Sequence, residues 1–444
     1  MKRGLDLDKV TSWKTAIASM QWLFFIFANT IVVPISIGGA FDLPGEMITG
    51  IIRSSLIFTG IACMIQALIG HRFPIMEGHS GVMWALVLNL CATASTMGIS
   101  LSTVGGGIAT GLLLAGGVVV ILSKFNLLAF LHKIFTPMVM SCFLFLLTFQ
   151  LVLIFFKGMF KVGVDGTLLL PQSLFSIAIA VLVFLVKVKG KGTVGNYSLL
   201  IGMATGWIAY LLLFPSEQQA NDTQSLLSIP IFPLGEPNLH MGIIIVTFLA
   251  SLINLSNTLA SIHSIADMLQ ERVTQARINR SFMTTGFFTI VSAVFGLVPF
   301  APFASSLGFL ESTQNYSKKP LVWAGATMAV LGIIPMMGNL MATLPVTVGN
   351  AVLFIMYLQL LGTSFRSLNG YQFNSVTIHR LAIPILTGLG VMSLDASIFS
   401  NFPVLIQPIL TNGFMIGISI SLVLENCIEW EEKSPSTTVW DEVD

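Results

Sequence analysis

Val298–Gly308 reads VPFAPFASSLG, and Pro74–Gly81 reads PIMEGHSG. Both place proline, glycine and small polar residues inside otherwise apolar sequence. Proline has no N–H for the helix ladder and its ring clashes with the preceding turn, so neither stretch fits an unbroken membrane helix. Non-helical backbone at membrane depth is tolerated only where protein or a water-filled cavity satisfies it. Two such interruptions, at corresponding places in two halves of a chain, point to the binding site of a secondary transporter.

The composition around them fits a bilayer. Of 444 residues, 55% are hydrophobic and 9% charged, against about 25% charged in soluble domains. Mean hydropathy is +0.88. The four cysteines, Cys63, Cys91, Cys142 and Cys427, form no CxxC pair, so neither a disulfide framework nor zinc is expected. No cleavable leader is expected, because the first apolar run is long and lacks a small-residue cleavage site.

Spans of roughly 20 apolar residues are predicted at 15–37, 48–69, 74–93, 104–123, 134–156, 172–188, 194–214, 241–264, 281–298, 299–315, 319–338, 343–363, 378–394 and 403–425. The prediction is an all-α membrane protein with fourteen transmembrane segments, the third and tenth broken into a short strand plus a half-helix. If both breaks are re-entrant, the count is twelve. With the N-terminus in the cytoplasm, 18 of the 21 Lys and Arg residues fall inside, among them Lys2, Arg3, Lys9, Lys133, Lys191 and Lys433, as the positive-inside rule requires. Lys157 and Lys161 fall outside, and Arg53 lies within the second span, where it needs snorkelling or an internal partner. The outer loops take Asp42, Glu46, Glu217, Asp222, Glu236 and Asp395.

Seven spans per half invert the second half, and three echoes support a 7+7 inverted repeat. Ala28-Asn29-Thr30 matches Ser256-Asn257-Thr258 at an offset of 228. Pro74 and Pro299 are 225 apart, and Pro137 and Pro345 are 208 apart.

At such breaks, half-helix N-termini present free N–H donors and a positive dipole end to an acceptor-rich or anionic solute. Gly78, His79 and Ser80 at one break, and Ala304, Ser305 and Ser306 at the other, are the candidate contacts. Phe303 is placed to stack on a flat ring. Asn29, Ser256 and Asn257 are polar residues at mid-span, suited to a solute or to joining helices. Gln21 and Thr30 carry the same two readings. Glu77 is an acid at membrane depth, hence the proton-coupling candidate; capping the adjacent half-helix or pairing at the cytoplasmic mouth are its structural alternatives. His79 and His263 are titratable, with a structural hydrogen bond as the alternative role. Asp267 and Glu311 lie near cytoplasmic ends, where solvation is the default. No phosphate loop, metal-ligand cluster or nucleophile–base set is visible. Catalysis, cofactors, metals and nucleic acid are therefore not expected.

MQWLFFIFANTIVVP from Met20 resembles the Gln-His opening segment, ending in Val-Pro, of the nucleobase–cation symporter family that contains the uracil, xanthine and uric acid permeases; Trp22 stands at the histidine. Val298-Pro299 through Gly308 resembles that family's Val-Pro…aromatic-Gly-Glu/Gln-Asn-x-Gly signature. Phe303 falls on the aromatic position, Ala304 on the glycine, Ser305 on the acid or amide and Ser306 on the asparagine. Asn412-Gly413 resembles an Asn-Gly pair of the last span. The family's eighth-span glutamate falls on Ser256. Both carboxyl or amide positions are thus serines, which leaves Glu77 as the candidate for the acidic role.

The resemblance implies a core domain, 1–133 with 241–340, and a gate domain, 134–240 with 341–444. It implies a purine base or oxidised purine as solute, carried with a proton or other cation by elevator motion. The protein is then a multi-pass inner-membrane protein with cytoplasmic termini, with a homodimer through the gate domain as one assembly. An anion carrier of the same architecture, for sulfate or bicarbonate, remains the alternative; a lipid-acting membrane enzyme lacks the paired acids or histidines it would need.

Overall fold

The computed structural model describes residues 12–95, 98–126, 134–163, 166–190, 194–214, 229–303, 305–368, 370–399, 401–403 and 406–430. Lys2, Arg3, Lys9, Lys133, Lys191, Glu217, Asp222, Ala304 and Lys433 lie outside the described residues, as does the side chain of Ser305.

The first half contains α1 (Ser12–Thr30), α2 (Val32–Ala40), α3 (Gly45–Leu68), β1 (Glu77–His79), α4 (Gly81–Ala94), α5 (Leu101–Lys124), α6 (Pro137–Gly158), α7 (Leu170–Lys189) and α8 (Ser198–Leu213). The second contains α9 (Met241–Leu269), α10 (Gln275–Phe295), β2 (Phe300–Pro302), α11 (Ser305–Thr313), α12 (Lys318–Ile333), α13 (Pro335–Ala342), α14 (Val346–Arg366), α15 (Ser375–Ser393) and α16 (Gly413–Cys427). Among the described residues, seven helices are long and apolar enough to cross a membrane, or eight if α12 and α13 are taken together.

Two predicted boundaries change for local reasons. The stretch 319–338 is not one straight helix: α12 and α13 meet at 88°. Ile334, before Pro335, is extended at ψ 114, the conformation a following proline favours. The stretch 403–425 is likewise interrupted, because Asn412 is extended and its Oδ1 accepts from the Met415 N–H at 3.1 Å, starting α16 afresh.

α3 packs on α12, α5 on α9 and α10, and α1 on α12. α14 packs on α6 and α7, and α16 on α6 and α15, while α2 touches α14, α1 touches α8 and α4 touches α6. Small residues let backbones meet, as membrane interfaces require. A Cβ added at Gly325 of α12 would lie 2.7 Å from the Gly60 carbonyl oxygen of α3, and one at Gly116 of α5 would lie 2.7 Å from the Gly286 carbonyl oxygen of α10.

Arg53 has an internal partner. Its Nε donates to the Gly332 carbonyl at 3.2 Å and its Nη2 to the Ile333 carbonyl at 3.0 Å. The guanidinium therefore covers the carbonyls at the C-terminus of α12, where a cation is also favoured by the helix dipole.

Candidate functional site

β1 and β2 pair antiparallel, with Glu77 opposite Pro302, Gly78 opposite Ala301 and His79 opposite Phe300. β1 is followed after Ser80 by α4, and β2 precedes α11 in the chain. The pairing satisfies backbone that has left the helical ladder. Further bonds lock the crossing: Ser80 N–H donates to the Pro299 carbonyl at 2.7 Å, and Phe303 N–H to the Met76 carbonyl at 2.9 Å.

Side chains then bind the crossing to its surroundings. Ser80 caps α4 and donates its hydroxyl to Asn254 Oδ1 at 2.6 Å. Asn254 Nδ2 reaches the Phe300 carbonyl at 3.3 Å. Ser306 Oγ accepts from the Met76 N–H at 3.1 Å. His79 lies between Ser55 Oγ at 2.6 Å and the Val298 carbonyl at 2.8 Å. A carbonyl can only accept, so the Nδ1 of His79 carries the proton and Nε2 accepts from Ser55.

These bonds redistribute the sequence candidates. His79, Ser80 and Ser306 are fully buried and committed to the scaffold. The Ser256 hydroxyl turns back onto the Ile253 carbonyl of its own helix at 2.6 Å. Thr30 does the same with Ile26 at 2.7 Å. Asn257, Gln21 and His263 are half-buried; Asp267 and Glu311 are exposed. Phe303 is half-buried and lies over Gly78, where an added Cβ would come within 2.7 Å of its ring. Trp22 is buried and packs at a tilt of 54° against Phe309 of α11, ring centroids 4.4 Å apart.

Asn29 has a different setting. Its Nδ2 donates to the Phe25 carbonyl at 2.7 Å, while its buried Oδ1 has no partner among the described residues. It lines a cavity of about 80 Å³ together with Gly308 and Phe309 of α11, Lys187 of α7, Tyr197 and Met356 of α14. The cavity thus lies between α1 and α11 on one side and α7, α8 and α14 on the other. Phe303 and Glu77 are not in its lining.

Glu77 is sealed at 1% exposure and faces His71, which is at 0%. His71 Nε2 lies 3.3 Å from Glu77 Oε1; the pair is not aligned as a hydrogen bond, and neither atom has another partner among the described residues. The Glu77 main chain is held by Cys63, whose Sγ is 3.3 Å from both its N and its O. In the loop after α3, burial first, then Arg277 and Lys318, push the His71 imidazole down to about 3, so the ring is neutral.

Sequence reasoning missed Asn254, Ser55 and His71. His71 had a local signal, since HRFPIMEGH brackets Glu77 with two histidines. Asn254 and Ser55 act over long separations and had none.

The Permease family (Xan_ur_permease) matches residues 13–397. The chain belongs to that family. This permease is therefore a multi-pass membrane transporter and not an enzyme. It is 27% identical to YwdJ of Bacillus subtilis over 96% of its length and 98% of that protein's. It is 23% identical to the xanthine permease of the same organism, over 93% of both chains. It is 22% identical to the uric acid transporter UacT of Escherichia coli, over 94% of this chain and 87% of UacT. In fold it is similar to the transmembrane domain of the cyanobacterial bicarbonate transporter BicA, with a TM-score of 0.60 at 13% identity, over 94% of this chain and 98% of that one. Murine Slc26a9, an anion transporter in the inward-facing state, gives 0.66 at 11% identity, over 94% of this chain and 68% of that one.

Proposed function

We propose that this permease is a secondary active transporter for a purine nucleobase or an oxidised purine such as xanthine or uric acid, coupled to protons. The observation that carries the reading is the antiparallel β1–β2 pairing, from whose opposite ends α4 and α11 start, with the Phe303 ring beside Gly78. Helix N-termini offer N–H donors to the carbonyl oxygens and ring nitrogens of an oxidised purine, and an aromatic face stacks on its ring. The permeases of xanthine and uric acid among its relatives support the same solute class.

On this reading the chain has fourteen spans in two inverted sets of seven, with β1–α4 and β2–α11 as the broken ones. The helices around α3, α5, α9, α10 and α12 form the core domain, and those around α6, α7, α14, α15 and α16 the gate domain. The cavity at Asn29 marks the boundary along which the core slides. Gly78, Phe303 and Asn257 lie nearest the solute, Asn29 on its route, and Glu77 takes the proton; Ala304 and Ser305 stay binding candidates from the sequence. The protein sits in the inner membrane with both termini in the cytoplasm, and its gate domain is the surface for a homodimer.

Uptake of a radiolabelled purine panel, in cells with and without the protein and with and without a protonophore, tests the reading. Uptake of one purine that collapses with the protonophore is the expected result; failure to carry any base overturns it. Lys187 at the cavity favours a second reading, carriage of an anion. Competition between sulfate and labelled purine separates the two.

A further inference from the structure

Every polar atom of His71 except one is engaged. Its backbone N–H donates to Gln66 Oε1 at 3.4 Å, and its carbonyl accepts from Arg277 Nε. Its Nδ1 accepts from the Phe73 N–H at 3.0 Å. Gln66 and Arg277 are fixed in turn. Gln66 Nε2 reaches the Ser281 carbonyl and Thr285 Oγ1, both at 3.2 Å, and the Arg277 guanidinium lies 3.6 Å above the Phe73 ring. An Nδ1 that accepts leaves the single ring proton of a neutral imidazole on Nε2. That N–H faces Glu77 Oε1 across 3.3 Å, inside a site closed to solvent. Hydrogen bonds between such partners are commonly long at rest and close on function.

We infer that His71 is the positioning residue that sets the proton affinity of Glu77, so that the two side chains together form the proton-binding unit. The inference rests on Glu77 as the proton site of the proposed transport. The step balances simply: one proton adds to the Glu77 carboxylate to give the carboxylic acid, and His71 keeps its own proton throughout. The Nε2–H faces Oε1 across 3.3 Å and closes onto it as a hydrogen bond when the carboxylate is charged. It bonds more strongly to the anion, since hydrogen bonds to charged groups are roughly twice as strong as neutral ones. His71 therefore favours the ionised carboxylate against the burial that disfavours it. The other titratable or charged groups around the pair are Cys63 from α3, Arg277 from α10, Lys318 from α12, and His79, whose ring is engaged elsewhere. β2 carries none, and α1 has none after Lys14.

The test is infrared titration of the purified full-length protein, reading the protonated-carboxyl band that Glu77→Gln removes. His71→Leu, which has no donor, should shift the midpoint of that band to higher pH by about one unit or more. His71→Gln, which keeps an N–H donor, should restore most of the shift. The pH optimum of purine accumulation in vesicles should move with the band in His71→Leu and return towards the wild-type value in His71→Gln. An unshifted midpoint in His71→Leu overturns the inference, as does the absence of a band that depends on Glu77. Loss of exchange and accumulation together, with an unchanged midpoint, would make His71 purely structural and also overturn it. The band needs no solute, so a failed purine panel leaves this result standing and the two claims are separable.

Discussion

Ser80 and Asn254 are 174 residues apart in sequence, yet the Ser80 hydroxyl donates to Asn254 Oδ1 at 2.6 Å. The same amide turns its Nδ2 to the Phe300 carbonyl at 3.3 Å. One side chain of α9 therefore grips both crossing segments, the first through the residue that caps α4 and the second through its strand. Any solute held between the starts of α4 and α11 depends on that grip for the spacing of its contacts.

Replacing Asn254 by Leu leaves a buried hydroxyl and a buried carbonyl without this partner, at about 1–3 kcal/mol each. Membrane proteins recover part of such losses. The expected result is a fall of a few degrees in the thermal midpoint in detergent and a larger relative fall in uptake. Wild-type values of both would exclude a joint role for the amide.

At Gly78 an added methyl would lie 2.7 Å from both Met76 Cε and the Phe303 ring. Gly78→Ala should push the ring aside and raise the KM for purine about tenfold, an orientation effect, with a stability loss of about 1–3 kcal/mol. At Gly308, nothing lies within 4 Å of such a methyl, so Gly308→Ala should keep or slightly raise the thermal midpoint. Equal responses from the two glycines would contradict the geometry.

Arg53→Leu strips the carbonyls of Gly332 and Ile333 of a charged donor, which should cost about 1–3 kcal/mol. Arg53→Lys should recover less than half, because an ammonium cannot reproduce the planar fork of a guanidinium. Thermal melts of the three proteins, followed by intrinsic fluorescence, rank them; full recovery by lysine would mean that charge alone matters.

Arg380 and Glu425 join α15 to α16 through two bonds, 2.7 and 2.6 Å, with side chains only 7% and 4% exposed. Removing one partner of a buried pair costs about 3–5 kcal/mol, whereas apolar replacement of both is often neutral. Glu425→Leu should therefore unfold far more readily than the double variant Arg380→Met, Glu425→Leu. A double variant as weak as the single one would show that the ions themselves are required.

The places where the chain departs from helix are legible in sequence because proline and glycine leave a mark that apolar neighbours cannot hide. Pro74 stands three residues before β1 and Pro299 directly before β2, and Glu77 draws notice as an acid in a greasy run. Contacts across the fold leave no such mark. Asn254 reads like its neighbour Asn257 until its partners are seen. Ser256 has the composition of a ligand contact, yet its hydroxyl bonds its own helix at Ile253. Arg53 reads as an intruder in a span, whereas the carbonyls it covers lie 279 and 280 residues away.

Opposed Glu77 and Pro302 are 225 positions apart. A ribosome adding about 5–20 residues per second needs on the order of 10–45 s to deliver the second after the first. Throughout that interval the edge of β1 is in or near the bilayer with no strand to complete it. The insertion machinery, or the surrounding helices α1 and α3, must shelter this segment during biogenesis. Truncation after the first seven predicted segments should therefore yield a product cleared by quality-control proteases rather than a stable half.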